Sequence, residues 1–322
     1  MYDYFMEKLV YQMFILGTEN LDKALSKGLG GVIFFTKDIN SEEQIKKDIE
    51  NIKKRSLITP FISIDQEGGR VERTENIRPK RLSAKFTYEK GIDFLTKQSE
   101  EISEELKNWG FNLNFAPCVD VNTNPLNPII GERSFSNNPE DVINAMTAFT
   151  KASRNFEIIP CVKHYPGHGD ADKDSHLTLP QINLSLEAME NIHIKPFKKA
   201  IENNIEMIMA AHLHCTCFDN EIKPASLSEN AIGYLRKELG YQGVIISDDM
   251  FMKGVQAYGS LEAVIMGINA GLDMFIFRES DTNTLEMIEN LIKIVEKDSN
   301  LKEKVEKSYK RIIDLKQKYS LV

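Results

Sequence analysis

The chain has 322 residues, 42% hydrophobic and 27% charged, which is enough apolar material for a large buried core and too much for a disordered or fibrous protein. A formal charge of -8 spread along its length leaves no basic patch for nucleic-acid phosphates or anionic lipid. No run approaches the roughly 20 apolar residues that span a bilayer, so the expected partner is a small molecule and the expected compartment is the cytoplasm.

In chain order, MYDYFMEKLVYQMFILG carries Asp3, Glu7 and Lys8 among its apolar residues. It lacks the basic start and unbroken apolar stretch of a signal peptide and reads as an amphipathic helix. GLGG, Gly28 to Gly31, precedes the strand-like run GGVIFF, whereas phosphate-cradling glycines follow a strand and open a helix, so these are expected to close a helix. Further apolar or β-branched runs follow: FISID near 63, FNLNFAP near 114, IIPCVKH near 161, MIMAAH near 209, GVIISDD near 246 and LDMFIF near 275. Between the runs lie segments of helical period such as SEEQIKKDIENIKKR, YEKGIDFLTKQSEEISEELKNWG, LEAMENIHIKPFKKAIENN and NAIGYLRKELG.

Seven strands alternating with helices predict right-handed βαβ units and a parallel sheet. Their spacing of roughly 30 to 50 residues suits an α/β fold of the TIM type, a (β/α)8 barrel with one short or irregular strand. A doubly wound open sheet is the structural alternative. No linker or composition break divides the chain, which reads as one catalytic domain over 1–322. Cys118, Cys161, Cys215 and Cys217 sit in or beside the apolar runs and are expected as small buried residues rather than disulfide partners.

Polar residues gather at the C-terminal ends of the predicted strands. Asp65 follows FISI, Asp120 follows NFAPCV, Lys163 and His164 follow IPCV, His212 follows IMAA, and Asp248 and Asp249 follow VIIS. In a barrel these ends converge on one mouth. The stretch KHYPGHGDADKDSHLTLP, Lys163 to Pro180, holds three histidines, three aspartates and two glycines. Gly167 and Gly169 would let this loop swing His176 over the mouth; a solvated surface loop is the plain alternative.

Several chemistries compete for these residues. The histidines invite a metal reading, and HLHCTC, His212 to Cys217, looks especially metal-like. The pairs lack zinc-finger spacing, however, and no metal or other cofactor is expected. Cys/His nucleophilic chemistry lacks an obvious activating partner in sequence. Glycoside hydrolysis fits better, because it needs a carboxylate at an oxocarbenium-like centre and a proton donor for the leaving oxygen. Asp248 and His176 suit these roles, and Asp174 lies two residues from His176 in DSH, where it can hold one tautomer. Asp248 also fits a helix N-cap.

At these residues the chain resembles the β-N-acetylglucosaminidase branch of the family 3 glycoside hydrolases. The resemblance rests on KHYPGHG with DSH, DQEGGRVER (Asp65 to Arg73), GERSF (Gly131 to Phe135), PASLS (Pro224 to Ser228) and GYQGVIISDDM (Gly240 to Met250). It implies a retaining exo-β-hexosaminidase on a (β/α) barrel that removes non-reducing terminal N-acetylglucosamine, typically from muropeptides of the cell wall. By position it implies Asp248 as nucleophile, His176 as acid/base and Asp174 as the residue that orients His176. It also implies Asp65, Arg73, Arg133, Lys163 and His164 as the residues that hold the sugar. Many family 3 enzymes carry a second α/β domain that supplies an acidic acid/base; this chain is expected to end before one, so the barrel loop must provide its own proton donor. A monomer or weak homo-oligomer is expected.

Overall fold

The computed structural model describes residues 2–171 and 179–322, and Asp174 and His176 lie outside the described residues. Among the described residues ten strands run in chain order as β1 (Phe14–Leu16), β2 (Gly31–Phe34), β3 (Phe61–Ile64), β4 (Leu113–Asn114), β5 (Ile159–Tyr165), β6 (Gln181–Ile182), β7 (Met207–Ala210), β8 (His214–Cys215), β9 (Val244–Asp249) and β10 (Met274–Phe277). Eight of them close a barrel in the order β1-β2-β3-β4-β5-β7-β9-β10, and every neighbouring pair is parallel. The remaining two, β6 and β8, form a separate parallel ribbon beside the mouth. The (β/α)8 architecture expected from the strand spacing is therefore the one observed.

The missing eighth strand is β1, hidden in the segment read above as an amphipathic helix. Only Tyr2–Tyr11 of that segment is helical. Phe14, Ile15 and Leu16 are all fully buried, so no polar alternation marks them as a strand. Three residues suffice to close the barrel because Phe14 to Leu16 pair with Phe275 to Phe277, and the Gly17 amide donates to the Phe277 carbonyl at 3.0 Å. Gly17 is needed there: a Cβ would fall 2.1 Å from the Arg278 carbonyl oxygen.

The outer helices follow from amphipathic spacing. Helix Glu42–Arg55 buries Ile45, Ile49 and Ile52 on one face, each contributing about 2 kcal/mol. Ser41 caps its N-terminus by accepting from the Gln44 amide. Glu42 and Glu43 in the first turn and Lys53, Lys54 and Arg55 in the last oppose the helix dipole favourably. The YEKG…NWG segment, read as one helical stretch, is broken after Ala84–Glu89 by Gly91 at φ 103° and resumes as Ile92–Trp109. The four cysteines are free; Cys118, Cys161 and Cys215 are buried as expected, whereas Cys217 is partly exposed. Among the described residues no helix is long and apolar enough to cross a membrane.

Candidate active site

Four strand ends bring the expected residues to one mouth. Asp65 stands one residue past β3, Lys163 and His164 lie within β5, His212 is two past β7, and Asp248 and Asp249 end β9. Arg73 returns on the turn after β3, and Arg133 on the short helical turn Gly131–Arg133. All five sugar-holding candidates thus meet, together with Asp248.

Lys163 is buried and carries its charge between two carboxylates. Its Nζ donates to Asp65 Oδ1 at 2.7 Å and lies 2.7 Å from Glu67 Oε1. Burial alone would lower its pKa, but Asp65 and Glu67 hold it above its ordinary value. Glu67 also receives a two-pronged grip from Arg133, with Nε to Oε2 at 2.9 Å and Nη2 to Oε1 at 2.8 Å. Burial would raise Glu67, yet Arg133 and Lys163 keep it well below the usual carboxylate range. Glu67 was not foreseen as a site residue. Its signal was present in DQEGG, because two-residue spacing from Asp65 turns both carboxylates toward one side of extended backbone.

Asp120 builds the second half of the grip. Its Oδ2 lies 2.7 Å from His164 Nδ1, and its Oδ1 accepts the His168 amide at 2.6 Å. With Nδ1–H donating to Asp120, His164 Nε2 is left to accept from Arg133 Nη2 at 3.3 Å. Burial would raise Asp120, but the facing His164 ring and its hydrogen bond, with His168 behind them, hold it ionised. Sequence reasoning noticed Asp120 at a strand end without assigning it a part; its signal was the same strand-end position shared by the others.

Arg73 is held more loosely. Its Nη2 lies 3.9 Å from Asp65 Oδ2, its guanidinium stacks over Phe35 at 5.5 Å, and its buried Nε has no hydrogen-bond partner. An unspent donor beside Asp65 is what a ligand hydroxyl or carbonyl would satisfy. Arg133, expected at the sugar, is paired with buried Glu67.

Asp248 is not a helix cap, since the next helix begins at Lys253. It is a partly buried strand-end carboxylate whose Oδ1 accepts the Asp249 amide at 2.7 Å. Burial acts to raise its pKa, but His164, His212, the Asp249 amide and Lys163 bring it below its ordinary value. It is an ionised, lightly tied carboxylate, which suits attack on an electrophilic carbon. Its neighbour is engaged elsewhere: Asp249 Oδ2 accepts from Arg278 Nη1 at 2.8 Å, and burial pushes its pKa up to about 6.

The metal-like segment HLHCTC does not converge on one point. His212 Nδ1 contacts Ser226 Oγ at 2.7 Å, His214 meets the Lys223 backbone at 3.3 Å, and Cys215 and Cys217 face each other. Among the described residues Cys118, Asp120 and His164 present donor atoms within 4.8 Å of one another. Burial pushes the Cys118 thiol well up, so it keeps its proton and donates to Asp120 Oδ2 at 3.2 Å. With Asp120 spent on His164 and backbone amides and Arg133 adjacent, this cluster is a hydrogen-bonded clasp rather than a cation cage.

Comparisons with known proteins agree with the barrel fold. The family description "Glycosyl hydrolase family 3 N terminal domain" matches residues 7–315. A protein named Beta-hexosaminidase A from Pseudoalteromonas piscicida is 36% identical over 269 residues, 76% of this chain and 45% of that protein. A Beta-hexosaminidase from Neisseria gonorrhoeae is 34% identical over 277 residues, 82% of this chain and 75% of that protein. The solved structure of a glycoside hydrolase family 3 beta-N-acetylglucosaminidase from Paenibacillus sp. str. FPU-7 superposes with a TM-score of 0.91 at 29% identity, covering 98% of this chain and 62% of that one. The chain thus spans less than two thirds of the first and third of these relatives. With the barrel, the strand-end cluster and a match across nearly its whole length, this chain belongs to glycosyl hydrolase family 3.

Proposed function

We propose that the protein is a retaining β-N-acetylglucosaminidase that removes a non-reducing terminal N-acetylglucosamine by double displacement. The observation that carries the reading is Asp248: a carboxylate held below its ordinary pKa, against the effect of burial, by His164, His212, the Asp249 amide and Lys163, at the same mouth as Asp65, Arg73, Lys163 and His164. In the first step Asp248 attacks the anomeric carbon and the glycosidic C–O bond breaks, while a proton passes to the leaving oxygen. In the second, water adds at the anomeric carbon, the ester to Asp248 breaks, and the water's proton returns to the acid/base. His176 is the proposed acid/base and Asp174 the residue that orients it; both assignments rest on the DSH motif. Asp65 accepts from sugar hydroxyls, and Arg73 and Lys163 donate to them. The names of the similar hexosaminidases support the substrate class, and the family resemblance supports muropeptides in the cytoplasm as its natural source.

An N-acetylglucosaminide can also be cleaved by its own acetamido oxygen, with a carboxylate only polarising that group. Asp249 would be the second carboxylate for that route, and its ion pair with Arg278 favours the covalent one. A 5-fluoro-N-acetylglucosaminyl fluoride should form a sugar ester that peptide mapping places on Asp248. A label on Asp249, or no label together with strong inhibition by a thiazoline mimic of the cyclised acetamido group, would overturn the mechanism. Failure to hydrolyse p-nitrophenyl β-N-acetylglucosaminide would overturn the activity.

A further inference from the structure

Cys215 and Cys217 stand on the ribbon beside the mouth, and neither takes part in the chemistry above. Their sulfurs lie 3.2 Å apart. Cys215 is buried at the end of β8, while Cys217 is partly exposed in the turn that follows, where the amides of Phe218 and Asp219 both donate to the Cys215 carbonyl. Thus a thiol reachable from solvent is backed by a second thiol already in contact with it.

The position of this pair matters more than its presence. Strand β8 pairs with β6, Gln181 with His214 and Ile182 with Cys215. The His214 amide donates to the Pro180 carbonyl at 2.8 Å and the Thr216 amide to the Ile182 carbonyl at 3.1 Å. Cys215 belongs to a small apolar cluster with Ala171, Ile182, Met189, Ile194, Ala211 and Leu213, against which Cys217 and Phe218 pack. Ala171 and Ile182 lie on either side in sequence of the segment that contains Asp174 and His176. The two sulfurs therefore sit in the cluster that holds both ends of that segment.

We propose that Cys215 and Cys217 form a reversible oxidation site, a dithiol that a hydroperoxide closes to a disulfide, and that closure acts on the β6–β8 ladder anchoring the downstream end of the segment bearing Asp174 and His176. Cys217 is the sulfur that reaches solvent, with Cys215 buried in contact behind it, so Cys217 is the one a peroxide meets and the one that reacts as thiolate. Its thiolate attacks one peroxide oxygen, the O–O bond breaks, and protonation of the departing hydroxide gives water and a Cys217 sulfenic acid. The Cys215 sulfur then attacks the Cys217 sulfur. The S–S bond forms, the S–O bond breaks, and the hydroxyl leaves with the Cys215 proton as a second water. Two thiols are oxidised and one peroxide is reduced to two waters, and an external thiol reverses the change by exchange. Closing so short a ring draws Cys217 toward the end of β8, where Thr216 holds the ladder to Ile182.

The test uses the full chain, reduced and then exposed to hydrogen peroxide, with free thiols alkylated afterwards. Mass analysis should show the loss of two hydrogen atoms in the tryptic peptide Ala200 to Arg236, which contains these two cysteines and neither of the others, and dithiothreitol should restore them. Amide exchange at His214 and Thr216 should quicken in the oxidised form. Turnover of an N-acetylglucosaminide should fall on the order of tenfold and recover on reduction, and Cys217→Ser should lose both the mass change and the peroxide sensitivity. The effect on turnover rests on the roles proposed for Asp174 and His176, whereas the bond and the exchange rates do not, so a chain without hexosaminidase activity would still report on the switch. Oxidation of Cys217 to a sulfinic acid with Cys215 left alkylatable would overturn the site. A disulfide that leaves both exchange rates unchanged would overturn its coupling to the ladder.

Discussion

Two positions apart on the turn after β3, Asp65 and Glu67 divide one lysine between them, and Glu67 alone also faces Arg133. Two buried or half-buried charges therefore depend on a single carboxylate. Glu67→Gln should cost about 3 kcal/mol of stability, because it leaves Lys163 and Arg133 short of a counter-charge in a site that excludes water; urea titration of the variant measures it. The same change should raise KM, since Lys163 and Arg133 lose the partner that aims them. Asp248→Asn, by contrast, should leave the urea midpoint within about 0.5 kcal/mol of wild type while turnover falls by about three orders of magnitude. Steady-state kinetics beside the same titration separates the two outcomes, and near-normal turnover in Asp248→Asn would remove it as nucleophile. At this scale Asp65, Lys163, His164 and Asp248 were legible because each ends an apolar run with a polar residue. Glu67 and Asp120 were less so, because their importance lies in which cations they face, and those cations arrive from β5 and the Gly131–Arg133 turn, far away in sequence.

At the scale of elements, barrel closure depends on the shortest strands. Seven strands were legible as apolar or β-branched runs lying between helical segments, whereas the three residues of β1 follow a helix whose apolar period continues into them, so the helix masked it. Its place is secured by backbone packing that a local pattern cannot express. The Gly30 amide donates to the Tyr11 carbonyl at 2.9 Å, and a Cβ on Gly30 would fall 2.1 Å from the Gln12 carbonyl oxygen, the same distance that separates a Cβ on Gly17 from the Arg278 carbonyl. Either Gly17→Ala or Gly30→Ala forces backbone apart at the seam, at a cost of about 3 kcal/mol. Differential scanning calorimetry should show the loss in both variants, with Gly233→Ala, where a Cβ meets nothing within 4 Å, as the control. A Gly17→Ala protein as stable as wild type would mean that β1 is not required for closure. Of the three GLGG glycines expected to close a helix, Gly30 and Gly31 are explained by close approach, and Gly28 alone, at φ 90°, lies just past helix Asp22–Ser26.

Across the whole molecule, the site's groups set how stability responds to acid. Among the described residues, both ring nitrogens of buried His168 and His193 and the Nε2 of buried His212 find no partner, and desolvation lowers the pKa of each ring, that of His168 to about 4. A histidine held neutral in the fold and titrating near 6.5 when unfolded stabilises the fold fully above pH 6.5, and that contribution is lost as pH falls from 6.5 toward 4. For His168 the loss between pH 7 and pH 5 is about 2 kcal/mol. Burial is the largest influence on its ring and disfavours the charge; Asp120 opposes it, while His164 and Arg133 add to it. Asp120 and Glu67, lowered below the usual carboxylate range, contribute stability that disappears only at more acid pH, when they are forced to protonate. Loss of stability just below neutrality therefore belongs to the histidines and not to the carboxylates. His168→Phe keeps a ring in the same space without a titrating nitrogen. Urea titrations of wild type and variant at pH 7 and pH 5 should show the wild type losing about 2 kcal/mol more than the variant over that interval. Equal losses in the two proteins would mean that His168 carries no proton-linked stability and that its place behind Asp120 serves only to pack the loop.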